Sequence, residues 1–375
     1  MKPFDVSKFV KGVTKSVPGM SVGFRDPDTW ISTGCYALNY CISSRFKDGG
    51  VPLGKVSVLS GDSGSGKSLI ASGNIISNAQ KQGIYVFAID TENALDDKWL
   101  TDLEVNTNPE YMMKFNMSII DDVSKVFFEF IKGYKAEHAN TPYEDRPKVL
   151  WVIDSLGMLE TNGAAEKVQN GDMRGDMGLK AKQLKAMVTQ MVSAIAMDPI
   201  GVVATNHAYA NQDAIGALSN PLIVSGGSGF IYASSILVTM QKFLLKEDED
   251  GNKISDATGI RAKCVVSKTR YAKPFQKVVI KVPYDKGMNP YSGLVEMLKT
   301  SEVLTKTGNR WEYIDVDTGE STIMFEKAYN RNDKGILDTI MEQYARHPAV
   351  AKFEAQIAET EESLVEYTDD QENGE

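Results

Sequence analysis

Short apolar runs and amphipathic stretches alternate along most of this chain. β-branched and aromatic residues concentrate at 56–59, 84–89, 149–153, 201–204, 236–240, 264–267 and 278–282, each run a strand candidate. Between them, apolar positions at helical spacing predict helices near 69–81, 123–136 and 179–196. This alternation, running from Ile31 to about Tyr284, predicts an α/β fold with a mainly parallel central sheet and helices on both faces. Residues 1–30 read as an arm, broken by Pro18, Gly19 and Pro27, with a short helix around 6–13. A small appended α/β region is expected over 285–353. Polar stretches at 137–147 and 246–258 read as surface insertions.

Composition sharpens the ends of this layout. The chain has 375 residues, 42% of them hydrophobic, and net charge −9. Residues 354–375 hold nine acids and no Lys or Arg, so residues 1–353 are balanced and the tail, read as disordered, carries the whole excess. An acidic total therefore does not exclude a nucleic-acid partner. No apolar stretch is long enough for a membrane span, and the start lacks a signal core. The three cysteines form no CxxC pair and suit a reducing cytoplasm. The three histidines are too scattered for a zinc site.

Chemistry enters at Gly61-Asp62-Ser63-Gly64-Ser65-Gly66-Lys67-Ser68, which fills every fixed position of the phosphate-loop pattern between a strand and a helix. Inward-pointing N–H groups would cradle the phosphates of ATP. Lys67 would reach the β- and γ-phosphates and the Ser68 hydroxyl would bind Mg2+. Asp154 ends an apolar strand, as the second magnesium-positioning group of such a site does. Its follower is Ser155, not an acid, so the residue that activates water is sought elsewhere. Glu92, just past the strand ending at Ile89-Asp90, is the candidate, with Asp90 read as a loop cap.

Ser32-Thr33-Gly34, the phosphate loop, Asp90-Thr91-Glu92-Asn93-Ala94-Leu95-Asp96, Ile153-Asp154-Ser155, Asn206-His207 and Pro274-Phe275 occur in one order. In that order they resemble the RecA family of homologous recombinases. Asp154-Ser155-Leu156-Gly157, Tyr209, Gly226-Gly227-Ser228-Gly229, Tyr232-Ala233 and Asn289-Pro290-Tyr291-Ser292-Gly293-Leu294 resemble its phage branch, the UvsX-like recombinases. The resemblance covers roughly residues 31–300. It implies a RecA-like ATPase and DNA-binding core over 31–284, with the 1–30 arm, carrying Phe4 and Phe9, used in oligomerisation.

The resemblance also implies roles for single residues. Glu92 matches the catalytic glutamate. Asp96 and Trp99 match adenine contacts, and His207 matches a γ-phosphate sensor; core packing is the plainer reading of Trp99 and His207. Lys167, Met173 and Arg174 fall in a first DNA-binding loop between Leu159 and Leu179. Ile215, Gly226 and Gly227 fall in a second, about 209–229, which lacks Lys or Arg and carries Asp213. Lys268 and Arg270 align with cations that one subunit supplies to its neighbour's ATP. The implied protein is a DNA-dependent ATPase that forms head-to-tail helical filaments on single-stranded DNA, pairs it with homologous duplex DNA and exchanges strands. Its implied partners include a single-strand-binding protein and a recombination mediator, and no membrane. The alternatives are a hexameric DNA helicase or other ring ATPase of the same core, and a DNA-coating protein that uses ATP only to assemble.

Overall fold

Strand β6, Val149–Asp154, is buried at all six positions, as a strand covered on both faces must be. Its side chains alternate between two apolar layers. Trp151 and Ile153 join Phe127, Ile131, Leu184 and Met191 on one face, and Leu150 and Val152 join Ile42, Ile70, Ile75 and Leu298 on the other. The molecule is a computed structural model that describes residues 25–170, 178–210, 222–225, 232–247, 253–274, 276–284 and 287–353. Met173, Arg174, Ile215, Gly226 and Gly227, the arm helix near 6–13 with Phe4 and Phe9, and the acidic tail lie outside the described residues.

The sheet around β6 contains β3 (Val56–Gly61), β4 (Tyr85–Asp90), β5 (Met112–Asn116), β7 (Ile200–Ala210), β8 (Leu222–Val224), β9 (Ile236–Leu245), β10 (Gly259–Lys268) and β11 (Lys277–Pro283). Their order is β11-β10-β9-β3-β7-β6-β4-β5, with β8 paired to the end of β7. Every neighbouring pair from β5 to β9 is parallel, whereas β9-β10-β11 is an antiparallel meander. A two-stranded ribbon, β1 (Trp30–Ile31) with β2 (Val51–Pro52), precedes it, and β12 (Thr305–Thr307), β13 (Arg310–Ile314) and β14 (Ser321–Met324) form a separate small sheet.

Helices cover both faces. α4 (Ile120–Glu137) buries Ile120, Val123, Phe127, Ile131 and Tyr134, a three- and four-residue spacing that makes one stripe. Asp121 and Asp122 in its first turn and Lys135 in its last oppose the helix dipole. α6 (Leu179–Ile195) packs beside it, and α5 (Asn162–Gln169) precedes it. On the opposite face lie α1 (Tyr36–Ser43) and α2, which is wound as a π-helix over Leu69–Ile75 and continues as an α-helix over Ile76–Gln80. α3 (Asp97–Asp102), α7 (Leu294–Thr300), α8 (Glu326–Asn330) and α9 (Ile336–Gln343) complete the set. The apolar layer on that face runs unbroken from Ile31 through the sheet to Tyr313, Ile340 and Val350. No helix among the described residues is long and apolar enough to cross a membrane.

All three cysteines are in this layer. Burial pushes Cys35 up to about 11 and Cys41 up to about 12, and drives Cys264 well above the usual thiol range.

The strand and helix runs expected from the sequence are present. The 209–229 stretch, expected as loop, contains strand: β7 continues to Ala210 and β8 folds back on it, Tyr209 opposite Ile223. The first loop likewise contains α5, whose start is capped by Thr161 Oγ1 accepting from the Ala164 N–H at 3.1 Å.

Candidate active site

The groups of the site gather toward the carboxyl ends of parallel strands, where open α/β sheets bind ligands. β3 delivers the phosphate loop, β4 delivers Glu92, β6 delivers Asp154 and β7 carries His207 directly opposite Gly61. Gly64 and Gly66 adopt positive φ (70° and 92°), the left-handed turns that aim successive N–H groups inward. Gly61 meets a different constraint. A Cβ there would stand 2.1 Å from the Met240 carbonyl oxygen of β9, so strand and loop touch backbone to backbone. Gly61→Ala is expected to cost about 1–3 kcal/mol through this overlap and to weaken nucleotide binding in parallel. An unchanged denaturation midpoint and affinity would refute it.

The fit of this cradle to a polyphosphate is visible in its polar atoms. Lys67 is buried, and its Nζ donates to the carbonyls of Gly61 at 2.9 Å and Asp62 at 2.7 Å. Burial lowers its pKa, while Asp154, Glu92 and Asp62 pull it back. The Ser65 hydroxyl is buried within the loop with no hydrogen-bond partner among the described residues. An ammonium bonded to carbonyls and a hydroxyl without a partner among the described residues suit an anion entering the cradle. Ser68 heads the π-wound start of α2.

Asp154 is buried, and both its oxygens accept hydroxyl donors: Oδ2 from Ser72 Oγ at 2.8 Å and Oδ1 from Thr205 Oγ1. It is therefore aimed by α2 and β7 together. Such a carboxylate suits a hydrated magnesium ion held by the Ser68 hydroxyl.

Glu92 is partly exposed at the mouth of the cradle. Its Oε1 accepts from Ser155 Oγ at 2.7 Å and from His207 Nε2 at 3.1 Å. Ser155 is itself fixed, since its N–H donates to Thr91 Oγ1 at 2.7 Å and its carbonyl accepts from the same hydroxyl at 2.9 Å. The two donors on one oxygen leave Oε2 with no protein partner among the described residues. Asp90 is the loop cap: it accepts from the Ala94 and Leu95 N–H groups at 3.1 and 3.0 Å and pairs with Lys114 at 3.3 Å. Ser155, Ser72 and Thr205 were not singled out from sequence. Only the Ser155 position, directly after the strand-ending Asp154, hinted at a role.

Other expected residues fall at several distances from this centre. Asp96 is exposed immediately before α3, and Trp99 on that helix is half-buried against the core. Lys167 is exposed in the last turn of α5. Lys268 is the last residue of β10 and Arg270 follows it, at the end of the strand away from the loop. Lys268 is level with Leu237 and hence with Val58 of β3, three residues before Gly61 and two strands over. That is about 10 Å along the strands and about 10 Å across them. Lys268 Nζ donates to the Tyr232 carbonyl at 2.6 Å, and burial, with Arg270 nearby, lowers its pKa.

A phosphate loop, a strand-end aspartate held by hydroxyls and a glutamate at the end of the neighbouring β4, all on one parallel sheet, define a P-loop nucleoside-triphosphate-binding protein. The profile of the RecA N-terminal domain matches residues 20–118. The recombination and repair protein of Enterobacteria phage T4 is 31% identical over 189 residues, which is 50% of this chain and 45% of that protein. The RecA protein of Cutibacterium acnes is 26% identical over 330 residues, covering 86% of this chain and 84% of its own. That of Clostridium perfringens is 24% identical over 345 residues, 90% and 88% of the two chains. In sequence the chain is similar to the RecA family, by profile over residues 20–118 and by RecA proteins over most of its length. The match spans less than half the length of the phage relative.

Proposed function

We propose that this RecA-like recombination and repair protein is a DNA-dependent ATPase. It polymerises on single-stranded DNA, pairs that strand with homologous duplex DNA and exchanges strands. Likeness to the RecA family implies ATP binding, DNA binding and filament formation. The finer reading assigns Glu92 to polarise the attacking water, Lys67 to the β- and γ-phosphates, and Ser68 and Asp154 to Mg2+. Residues 61–68 wrap the triphosphate, and Asp96 and Trp99 meet the base. His207 couples the γ-phosphate to DNA: it touches Glu92 on one side, and its own carbonyl accepts from Ser225 N–H at 2.9 Å at the foot of the second loop. Magnesium, when held by Ser68 and Asp154, would supply charge neutralisation for the phosphates. Lys167, Met173, Arg174, Ile215, Gly226 and Gly227 are assigned to DNA. The arm over 1–30 and the core over 31–284 are the units of assembly.

The observation that supports assembly most directly is the position of Lys268 and Arg270. They sit at the sheet end opposite their own phosphate loop, so they serve an ATP only if another copy brings one. ATP is then buried at a head-to-tail seam, and a head-to-tail contact that does not close gives a filament. The test is ATP hydrolysis with and without single-stranded DNA, on particles imaged under the same conditions. DNA-stimulated turnover on open helical particles is expected. DNA-independent turnover by monomers would reject the assignment, and closed six-membered rings would favour a helicase.

A further inference from the structure

One cation beside the phosphate loop belongs to no motif. Lys242 is on β9 two residues beyond Met240, the strand partner of Gly61. Its main-chain N–H faces Asp62 Oδ2 at 3.4 Å. Its ammonium nitrogen would stand 3.1 Å from a Cβ placed on Gly64, and its Cδ 3.7 Å, so the side chain lies along the crest of the loop. Lys242 is exposed, and no side-chain hydrogen bond or ion pair of its own is found among the described residues. A carboxylate is close by, yet Asp62 engages the main-chain N–H and leaves the ammonium unneutralised. A strongly hydrated point charge on a flexible stem, held against a loop built to receive anions, is suited to a phosphate oxygen.

We propose that Lys242 is a further nucleotide-binding residue, contacting a non-bridging oxygen of the bound polyphosphate from the flank of the loop. This rests on the reading of residues 61–68 as a triphosphate cradle. Unlike Lys268 and Arg270, it acts within one protomer and so needs neither DNA nor a neighbour. It also gives Gly64 a second reason to be glycine: besides its positive φ, a side chain there would push the ammonium off the crest.

The test is titration of the full chain with Mg-ATP and Mg-ADP, without DNA, comparing wild type, Lys242→Met and Lys242→Arg at low and high salt. Lys242→Met is expected to weaken both nucleotides about five- to tenfold, the loss shrinking at high salt, with Lys242→Arg within about twofold of wild type. Unchanged affinity in Lys242→Met overturns the proposal, and so does an equal loss in both variants, which would mark packing rather than charge. A wild-type chain that binds no ATP would instead overturn the functional reading on which the proposal rests. Matching thermal midpoints of the three proteins exclude a folding defect at this exposed strand position.

Discussion

Glu92→Gln is expected to bind ATP nearly as well as wild type and to hydrolyse it about a hundred to a thousand times more slowly. The size follows from losing a positioned general base, typically worth two to four decades. The geometry makes the variant informative. Oε1 of Glu92 is already held by Ser155 and His207, so an amide can keep its oxygen there and preserve the loop. What it cannot do is accept a proton through the remaining oxygen. Glu92 donates nothing to the cradle itself, so affinity should stay within about threefold, whereas a general acid–base defect appears in kcat. Steady-state hydrolysis beside equilibrium ATP binding decides it. A fall below tenfold, or affinity lost in step with turnover, would move the role of base to another group. Retained DNA pairing in this variant is expected as well, since pairing breaks no DNA bond.

The second large effect belongs to Lys268 and Arg270. Replacing both by Ala is expected to abolish DNA-stimulated turnover, by about a thousandfold or more if the pair acts on the transferred phosphoryl group as an arginine finger does. Nucleotide affinity of the isolated protomer should be unchanged, because these residues lie at the far end of the sheet from its own cradle. Mixing separates a contribution from a neighbour from a contribution within the chain. A Lys67→Ala protein has a dead cradle and intact cations; the double variant has the reverse. Together they form competent seams wherever the first offers its cations to the second, so the mixture should regain a measurable fraction of activity that neither shows alone. No recovery, or a nucleotide-binding defect in the isolated double variant, would place the pair in its own protomer and remove the basis for a seam.

Much of the site was legible because its chemistry is encoded in short, contiguous spacings. The loop at 61–68 needs glycines at fixed offsets, and Asp154 and Glu92 stand just past apolar runs that read plainly as buried strands. The residues that aim them were not legible. Ser72, Ser155 and Thr205 are ordinary hydroxyls on three different elements, and only the sheet order brings Ser72 and Thr205 onto Asp154. Lys242 is 178 positions from Gly64 in sequence and reaches it because β9 pairs with β3. Among strands, β5 escaped notice because Met113, Lys114 and Asn116 are exposed at the sheet edge and blur the apolar run. The π-wound start of α2 has no sequence signal in a run such as Leu69–Ile75, whose composition suits an ordinary helix. β8 was hidden for another reason: three apolar residues inside a long stretch expected as loop pair with the end of β7 that overshoots the sheet.

The sealed thiols of Cys35, Cys41 and Cys264 make the natural chain a ready background for spectroscopic labelling. With all three natural sulfurs shut inside the apolar layer and held protonated at neutral pH, a maleimide dye would find only a cysteine introduced on the surface, for example at the exposed position 306. Dye-to-dye distances between adjoining copies could then be followed during nucleotide turnover without first stripping the protein of its own cysteines.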